Sequence, residues 1–261
     1  MELSGARVLI TGATGGIGEA LAGAFANAGS EVVLSGRREQ ELTGVAAATK
    51  GRAVLADLAD RDQVARLLEQ AGEVDVLVAN AALPASGLLS DFSADQVDRA
   101  LEVNLRAPIA MAHALAPQMV ARGRGALVFV SSLAGLAASK NASLYNATKF
   151  GLRGFALALR QDLHGTGVGV SVVLPGFIRD AGMFADSGAT TPPGFGTRSP
   201  EDVAHAVLEA IRKDKGEVLV APPVDRFGAR LGGLAPGLAA RLQRVAPDVT
   251  GQIAAGQADK R

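Results

Sequence analysis

The sequence predicts an α/β fold: one domain built on an open parallel sheet of about seven strands, followed by a short helical tail. Three observations carry that expectation. Short unbroken apolar runs such as Arg7 to Thr11 (RVLIT) have the pattern of strands covered on both faces. Each run gives way to a segment with helical apolar spacing, as RVLIT does to GATGGIGEALAGAFANAG. The chain has 261 residues, 48% of them hydrophobic, which is enough for one sizeable core. Lys plus Arg equals Asp plus Glu at 26 each, so no net field favours nucleic acid, and a small-molecule partner is expected. There is no cysteine, and His113, His164 and His205 are scattered, so neither a disulfide framework nor a metal site is expected. The N-terminus has no basic stretch leading into a long apolar core, and no apolar run reaches the length of a membrane span, so a cytoplasmic location is expected.

The elements follow in order. After the first strand, Gly12, Gly16 and Gly18 allow a tight turn and close approach of a ligand, while the start of the following helix offers free N–H groups to a phosphate. The spacing Thr-Gly-x-x-x-Gly-x-Gly departs from the stricter dinucleotide fingerprint, and a plain structural turn remains an alternative. Glu31 to Ser35 reads as the second strand, with Arg37 and Arg38 at its tip. In a nucleotide fold a cationic tip suits a ribose 2′-phosphate, so NADP(H) is preferred over NAD(H), with Glu39 as a competing acceptor. Arg52 to Leu58 reads as the third strand, carrying Asp57 near its end as a possible acceptor for an adenine amino group; Val74 to Asn80 is the fourth, followed by the small Ala81 and Ala82. Ser93 with Gln96 three residues on opens a helix, and Asn104 falls within an apolar helical pattern, where it needs partners if buried. A helix over Ala107 to Arg122 leads to the fifth strand, Ala126 to Ser131, with Ser132 just beyond it at the edge where an open parallel sheet binds ligands. A helix from about Ser143 to His164, a sixth strand ending at Pro175 and Gly176, a lid-length loop over Asp180 to Ser199, a helix over Pro200 to Lys213 and a closing strand at Glu217 to Ala221 complete the domain.

Within LYNATK, Tyr145 and Lys149 lie four positions apart, which on a helix puts the ammonium beside the phenol. A nearby cation lowers a phenol's pKa and makes it usable as a general acid or base near neutral pH. The same spacing also fits a half-buried aromatic beside a solvated lysine, and only its context separates the two.

That context is a fixed series: TGATGGIG, Asp57, NAA at Asn80, VNL at Asn104, VSS ending at Ser132, YNATK, and LPGFI from Leu174. Jointly these motifs, spread over Leu3 to Val220, resemble the short-chain dehydrogenase/reductase family. The resemblance implies a doubly wound, Rossmann-type sheet and hydride transfer between a nicotinamide dinucleotide and a ketone, aldehyde or alcohol. It implies that Tyr145 donates and accepts the proton, that Lys149 lowers its pKa and holds the nicotinamide ribose, that Ser132 orients the carbonyl, and that Asn104 holds a water relay. The cofactor contacts implied are Gly12, Thr14, Gly15, Gly16, Ile17, Arg37, Arg38, Asp57, Leu58, Asn80, Ala81, Tyr145, Lys149, Pro175, Gly176 and Ile178. A homodimer or homotetramer is expected. The chain departs from the family where Ala79, Asn80, Ala81 and Ala82 replace Asn-Asn-Ala-Gly, and where Asp180 stands in place of a common threonine. A catalytically inactive NADP-sensing regulator and a nucleotide-sugar epimerase or dehydratase are the competing readings.

The domain is expected to span residues 1–224, with residues 225–261 as an amphipathic extension packed on it. The extension carries three acids (Asp225, Asp248, Asp259) against six bases (Arg226, Arg230, Arg241, Arg244, Lys260, Arg261). Phe227, Leu231, Leu234, Leu238, Leu242 and Val245 recur at near-helical spacing, with breaks expected at Gly232, Gly233 and Pro236. The preferred reading packs this stripe on the domain or a sister subunit; contact with a lipid surface is the alternative.

Overall fold

A computed structural model describes residues 1–191, 194–245 and 248–257. The expected seven strands form one sheet: β1 (Arg7–Thr11), β2 (Glu31–Gly36), β3 (Arg52–Leu55), β4 (Val76–Ala79), β5 (Gly125–Val130), β6 (Val168–Pro175) and β7 (Glu217–Val220). Their order is β3-β2-β1-β4-β5-β6-β7, and every neighbouring pair is parallel. The order reverses between β1 and β4, which opens a crevice at their carboxyl ends. Several strands end earlier than expected. β3 stops at Leu55, β4 at Ala79 and β5 at Val130, so Asp57, Asn80, Ser131 and Ser132 all lie in the loops beyond. Polar side chains draw the backbone out of the ladder there; the Asp57 carboxylate, for example, accepts from Ala59 N–H at 3.0 Å.

The helices are α1 (Gly16–Asn27), α2 (Glu39–Thr49), α3 (Arg61–Ala71), α4 (Ala94–Leu101), α5 (Ala107–Ala121), α6 (Ser143–Asp162), α7 (Gly182–Asp186), α8 (Pro200–Arg212), α9 (Pro223–Leu234), α10 (Pro236–Val245) and α11 (Val249–Ala255). Strand residues alternate between two cores. Leu9, Leu77 and Phe129 face Leu67 of α3, Met111 of α5 and Leu152 of α6, whereas Val8, Ile10 and Val78 face Phe25 of α1, Leu42 of α2 and Val207 of α8. The sheet is therefore covered on both sides, which is why its strands are continuously apolar. Ser93 and Ser199 cap α4 and α8 through reciprocal bonds with Gln96 and Asp202, as their spacing predicts.

Four local expectations are corrected. The α6 helix ends at Asp162 rather than His164, and the segment from Asp180 to Ser199 is not all loop, because α7 forms within it. Gly232 and Gly233 do not interrupt α9; the break falls at Ala235, whose φ and ψ of −129° and 65° are not helical, and Pro236 then opens α10. Proline needs no N–H bond at that first position, so it starts the new helix rather than merely ending the old one. Most consequentially, Phe227, Leu231, Leu234 and Leu238 do not pack on the domain; they are exposed. Small residues Ala229 and Gly232 occupy the face of α9 that is buried, leaving its large side chains on the opposite side.

Candidate active site

The turn between β1 and α1 is locked from the neighbouring strand. Gly12 sits at φ 66°, and a Cβ there would lie 2.7 Å from Ala81 Cα. A Cβ on Gly18 would stand 2.1 Å from the Gly12 carbonyl oxygen, so the turn closes only without side chains. Asn80 Nδ2 donates to Thr11 O at 3.1 Å and to Gly12 O at 3.2 Å, while the N–H groups of Asn80 and Ala81 donate to Thr11 Oγ1 at 3.1 and 3.2 Å. Gly15 is exposed, and Thr14, Gly16 and Ile17 are half-buried along the same turn. Ala181, at the start of the lid, closes over it: a Cβ on Gly16 would meet the Ala181 methyl at 2.0 Å.

At the β2 tip, Arg37 is exposed, whereas Arg38 donates to Thr14 O and pairs with Glu41 at 3.4 Å. Burial pushes the Asp57 carboxyl up. A hydrogen bond from Arg99 at 2.6 Å, the Ala59 N–H, and the charges of Arg99 and Arg37 outweigh that and hold it below the usual aspartate value. Asp57 is thus already committed to Arg99. Leu58 is a core side chain, which leaves only its backbone for any contact.

A strap from Leu83 to Gly87 joins the remaining residues. Asn104, fully buried in a π turn at Glu102–Arg106, accepts from Leu83 N–H at 2.6 Å and donates to Leu83 O at 2.9 Å. Its amide is therefore satisfied by distant backbone. Further along, Ala85 O accepts from Tyr145 N–H at 3.1 Å, and Gly87 N–H donates to Asn141 O at 2.7 Å. The Tyr145 ring packs against the small cluster of Ala85, Ala100 and Leu144.

Ser132 takes a hydrogen bond from Ala134 N–H at 3.1 Å. Burial pushes the Tyr145 phenol above its ordinary value, and the neighbouring Ser132 hydroxyl opposes that. Lys149 is buried; its Nζ lies 5.7 Å from the Tyr145 ring centroid and donates to Val130 O at 3.2 Å. Burial lowers its pKa from 10.5 to about 8. The helical spacing thus brings Lys149 to the phenol as the sequence predicts. The charge balance differs, however: burial, not the ammonium, dominates the phenol among these residues.

Beyond β6, Gly176 N–H donates to Val220 O at 3.0 Å, and buried Ile178 bridges to Arg198. Asp180 adopts φ 69° and pairs with Arg179 at 3.2 Å, so its charge is not left unopposed. Glycine turn, Asn80, Ser132, Tyr145 and Pro175 all lie at or just past the carboxyl ends of β1, β4, β5 and β6, with Tyr145 on the first turn of α6. Among the described residues no cluster of His, Cys, Asp and Glu has the makings of a metal site, and no helix is long and apolar enough to cross a membrane.

Residues 6–191 match the family model described as short chain dehydrogenase. This chain is a short-chain dehydrogenase/reductase. The ketoacyl reductase HetN of Nostoc sp. is 36% identical to this dehydrogenase/reductase over 227 residues, covering 84% of this chain and 79% of the relative. Among solved structures, a short-chain dehydrogenase from Sphingobium yanoikuyae in complex with NADPH is similar with a TM-score of 0.77 and 29% identity, over 90% of this chain and 95% of that one. A short-chain dehydrogenase/reductase from Burkholderia phymatum in complex with NAD has a TM-score of 0.81 and 26% identity, over 91% and 96% of the two chains.

Sequence reasoning missed Thr11, Ser131 and Asn146 in this dehydrogenase/reductase. Ser131 Oγ donates to Lys149 O at 3.0 Å, and Asn146 Nδ2 donates to Ala134 O at 2.6 Å while its Oδ1 accepts from Ser139 N–H at 3.1 Å. The available signal was a polar residue at an otherwise apolar position: Thr11 ends a run of strand apolars, and Asn146 lies on the buried face of α6.

Proposed function

We propose that this oxidoreductase interconverts a ketone or aldehyde and an alcohol, with NADP(H) as the preferred dinucleotide and an apolar or acyl-chain carbonyl as substrate. The observation that carries the reading is the Tyr145 phenol with Ser132 beside it, Lys149 one helical turn along and the glycine turn at the same sheet edge.

The residues present fit a dinucleotide. Gly12 and Gly18 let the turn close tightly against Ala81 and the Gly12 carbonyl, and the N-terminus of α1, with no side-chain cap, offers its backbone N–H groups there. When bound, the nicotinamide supplies or takes up the hydride at the carbonyl carbon. Tyr145 delivers the proton to the carbonyl oxygen in reduction and removes it in oxidation; its raised pKa keeps it protonated at neutral pH, ready for the reductive direction. Ser132 holds the carbonyl oxygen beside the phenol. Lys149, still largely protonated below about pH 8, stabilises the phenolate as it forms and binds the nicotinamide ribose. Asn104 positions Leu83, and through that strap the first turn of α6.

Exposed Arg37 supports the choice of NADP(H), since it is free to meet a 2′-phosphate, whereas Arg38 is engaged with Thr14 and Glu41. The name of the Nostoc relative supports an acyl carbonyl, as does the apolar pair of Phe177 and Phe184 beside the lid, with ring centroids 4.8 Å apart. The test follows absorbance during oxidation of NADPH and NADH against ketoacyl thioesters, steroids, sugars and small aldehydes. Faster turnover of a ketoacyl thioester with NADPH is expected, and Tyr145→Phe should bind dinucleotide while losing about a hundredfold to ten-thousandfold in rate. Tight dinucleotide binding with no turnover on any carbonyl would instead favour a sensor.

A further inference from the structure

The helix that follows β7, α9, is turned inside out relative to an ordinary surface helix. The buried face of α9 consists of Asp225, Ala229 and Gly232, and a Cβ on Gly232 would lie only 3.0 Å from the Ala137 methyl. Its opposite face presents Val224, Phe227, Leu231 and Leu234, exposed by 59%, 71%, 41% and 85%, and Leu238 of α10 extends the stripe at 50% exposure. Single exposed apolar residues are common, but four on one face of α9, with a fifth exposed at the start of α10, make a patch that a partner would cover.

The surrounding charges identify that partner. Between Pro223 and Val245 the only acid is Asp225, which is buried, while Arg230, Arg241 and Arg244 are exposed. None of these three arginines forms an ion pair with a described residue. A second copy docking by the same face would oppose arginines to arginines, a like-charge arrangement with no exposed acid on these helices to relieve it. An anionic bilayer instead receives the apolar side chains in its interface and attracts the cations. We propose that α9 and α10 dock this enzyme on the surface of an anionic phospholipid membrane, with Phe227, Leu231, Leu234 and Leu238 inserted and Arg230, Arg241 and Arg244 at the headgroups. The anchor lies within the chain described and spans nothing; it holds the helices flat on the surface.

The test is flotation of the full chain with phosphatidylcholine vesicles, with and without phosphatidylglycerol. Flotation with the anionic vesicles, weakened by added salt and largely absent with neutral ones, is expected. The pair Phe227→Ser and Leu234→Ser should abolish it. The pair Arg230→Gln and Arg241→Gln should reduce partitioning by about fivefold per arginine. All four positions are exposed, so melting temperature and dinucleotide affinity should stay at wild-type values and serve as controls for folding. Wild-type protein that stays with the soluble fraction, or serine variants that float equally well, would overturn the proposal. A wild-type dimer that the serine pair converts to monomer, with no flotation of either, would assign the face to a second copy and would equally overturn it.

Discussion

Asn80 and Lys149 illustrate how polar side chains hold the site. Asn80 secures two backbone carbonyls of the glycine turn with one amide. Asn80→Ala should lower stability by about 1 to 3 kcal/mol, two hydrogen bonds' worth, and weaken dinucleotide binding. Asn80→Asp should be worse than Ala, because a carboxylate facing the Thr11 and Gly12 carbonyls repels both; calorimetry with and without NADPH ranks the three proteins. For Lys149 the sign follows from its depressed pKa. Below about pH 8 the buried lysine is charged in both folded and unfolded chains, so the full burial penalty is present; as pH rises from about 8 towards 10.5 the folded form sheds its proton first and the penalty falls. Lys149→Met should therefore raise the melting temperature at neutral pH while weakening dinucleotide binding, and the wild type's affinity should fall as pH rises through about 8. A variant that loses stability at pH 7 would contradict the burial argument. The pairing of Tyr145 with Lys149 was legible because a four-residue spacing on a helix fixes proximity. The direction of the phenol's shift was not, because burial depends on Ala85, Ala100 and Leu144, which are brought together only by the fold.

At the scale of elements, short apolar runs made all seven strands legible; the central ones are apolar throughout because they are covered on both faces, whereas the edge strand β3 is largely exposed. Strand ends were less legible, because Asp57 and Asn80 satisfy their neighbours through side chains that compete with the ladder. The tail was legible as amphipathic helix, but hydrophobic spacing alone does not say which face meets the domain. Small residues did that, and they carry no hydropathy signal: Ala229 and Gly232 let α9 approach the loop at Ala137. Asp225 sits on that buried face in the first turn of α9. Burial pushes its carboxyl above the ordinary 3.8, and neither carboxylate oxygen has a hydrogen-bond partner among the described residues. An acid with a raised folded pKa costs nothing below pH 3.8, where both states are protonated, and its penalty is full only above the folded value. Asp225→Asn should accordingly stabilise the protein at neutral pH, with the gain vanishing as pH falls to about 3.8. Thermal melts of both proteins across that range measure the difference, and a gain that persists in acid would assign it to packing instead.

For the molecule as a whole, no described residue after Val220 belongs to either of the two large hydrophobic cores. What the tail does contact is the loop entering α6 and the helix α7. Gln243 Nε2 donates to Ala138 O at 2.8 Å, Asn141 Nδ2 donates to Asp248 at 2.8 Å, and Gln257 Nε2 donates to Met183 O within the lid helix α7. A Cβ on Gly256 would stand 2.4 Å from the Ser187 carbonyl oxygen, so α11 ends flush against the lid. The tail thus ties the loop entering α6 to α7, while the glycine turn between β1 and α1 is held by Asn80 without it. A chain ending after Pro222 should keep most of its far-ultraviolet circular dichroism and bind NADPH within a few-fold of the full protein, because the buried residues of both cores and the bonds of the glycine turn lie before it. Its KM for a ketoacyl substrate should rise by about tenfold or more, since misplacing substrate-side groups by even an ångström costs orders of magnitude. If the truncated chain loses dinucleotide binding and helical signal together, the tail is part of the folding unit and the division near residue 224 is wrong; if KM is unchanged, the tail is not a wall of the substrate site.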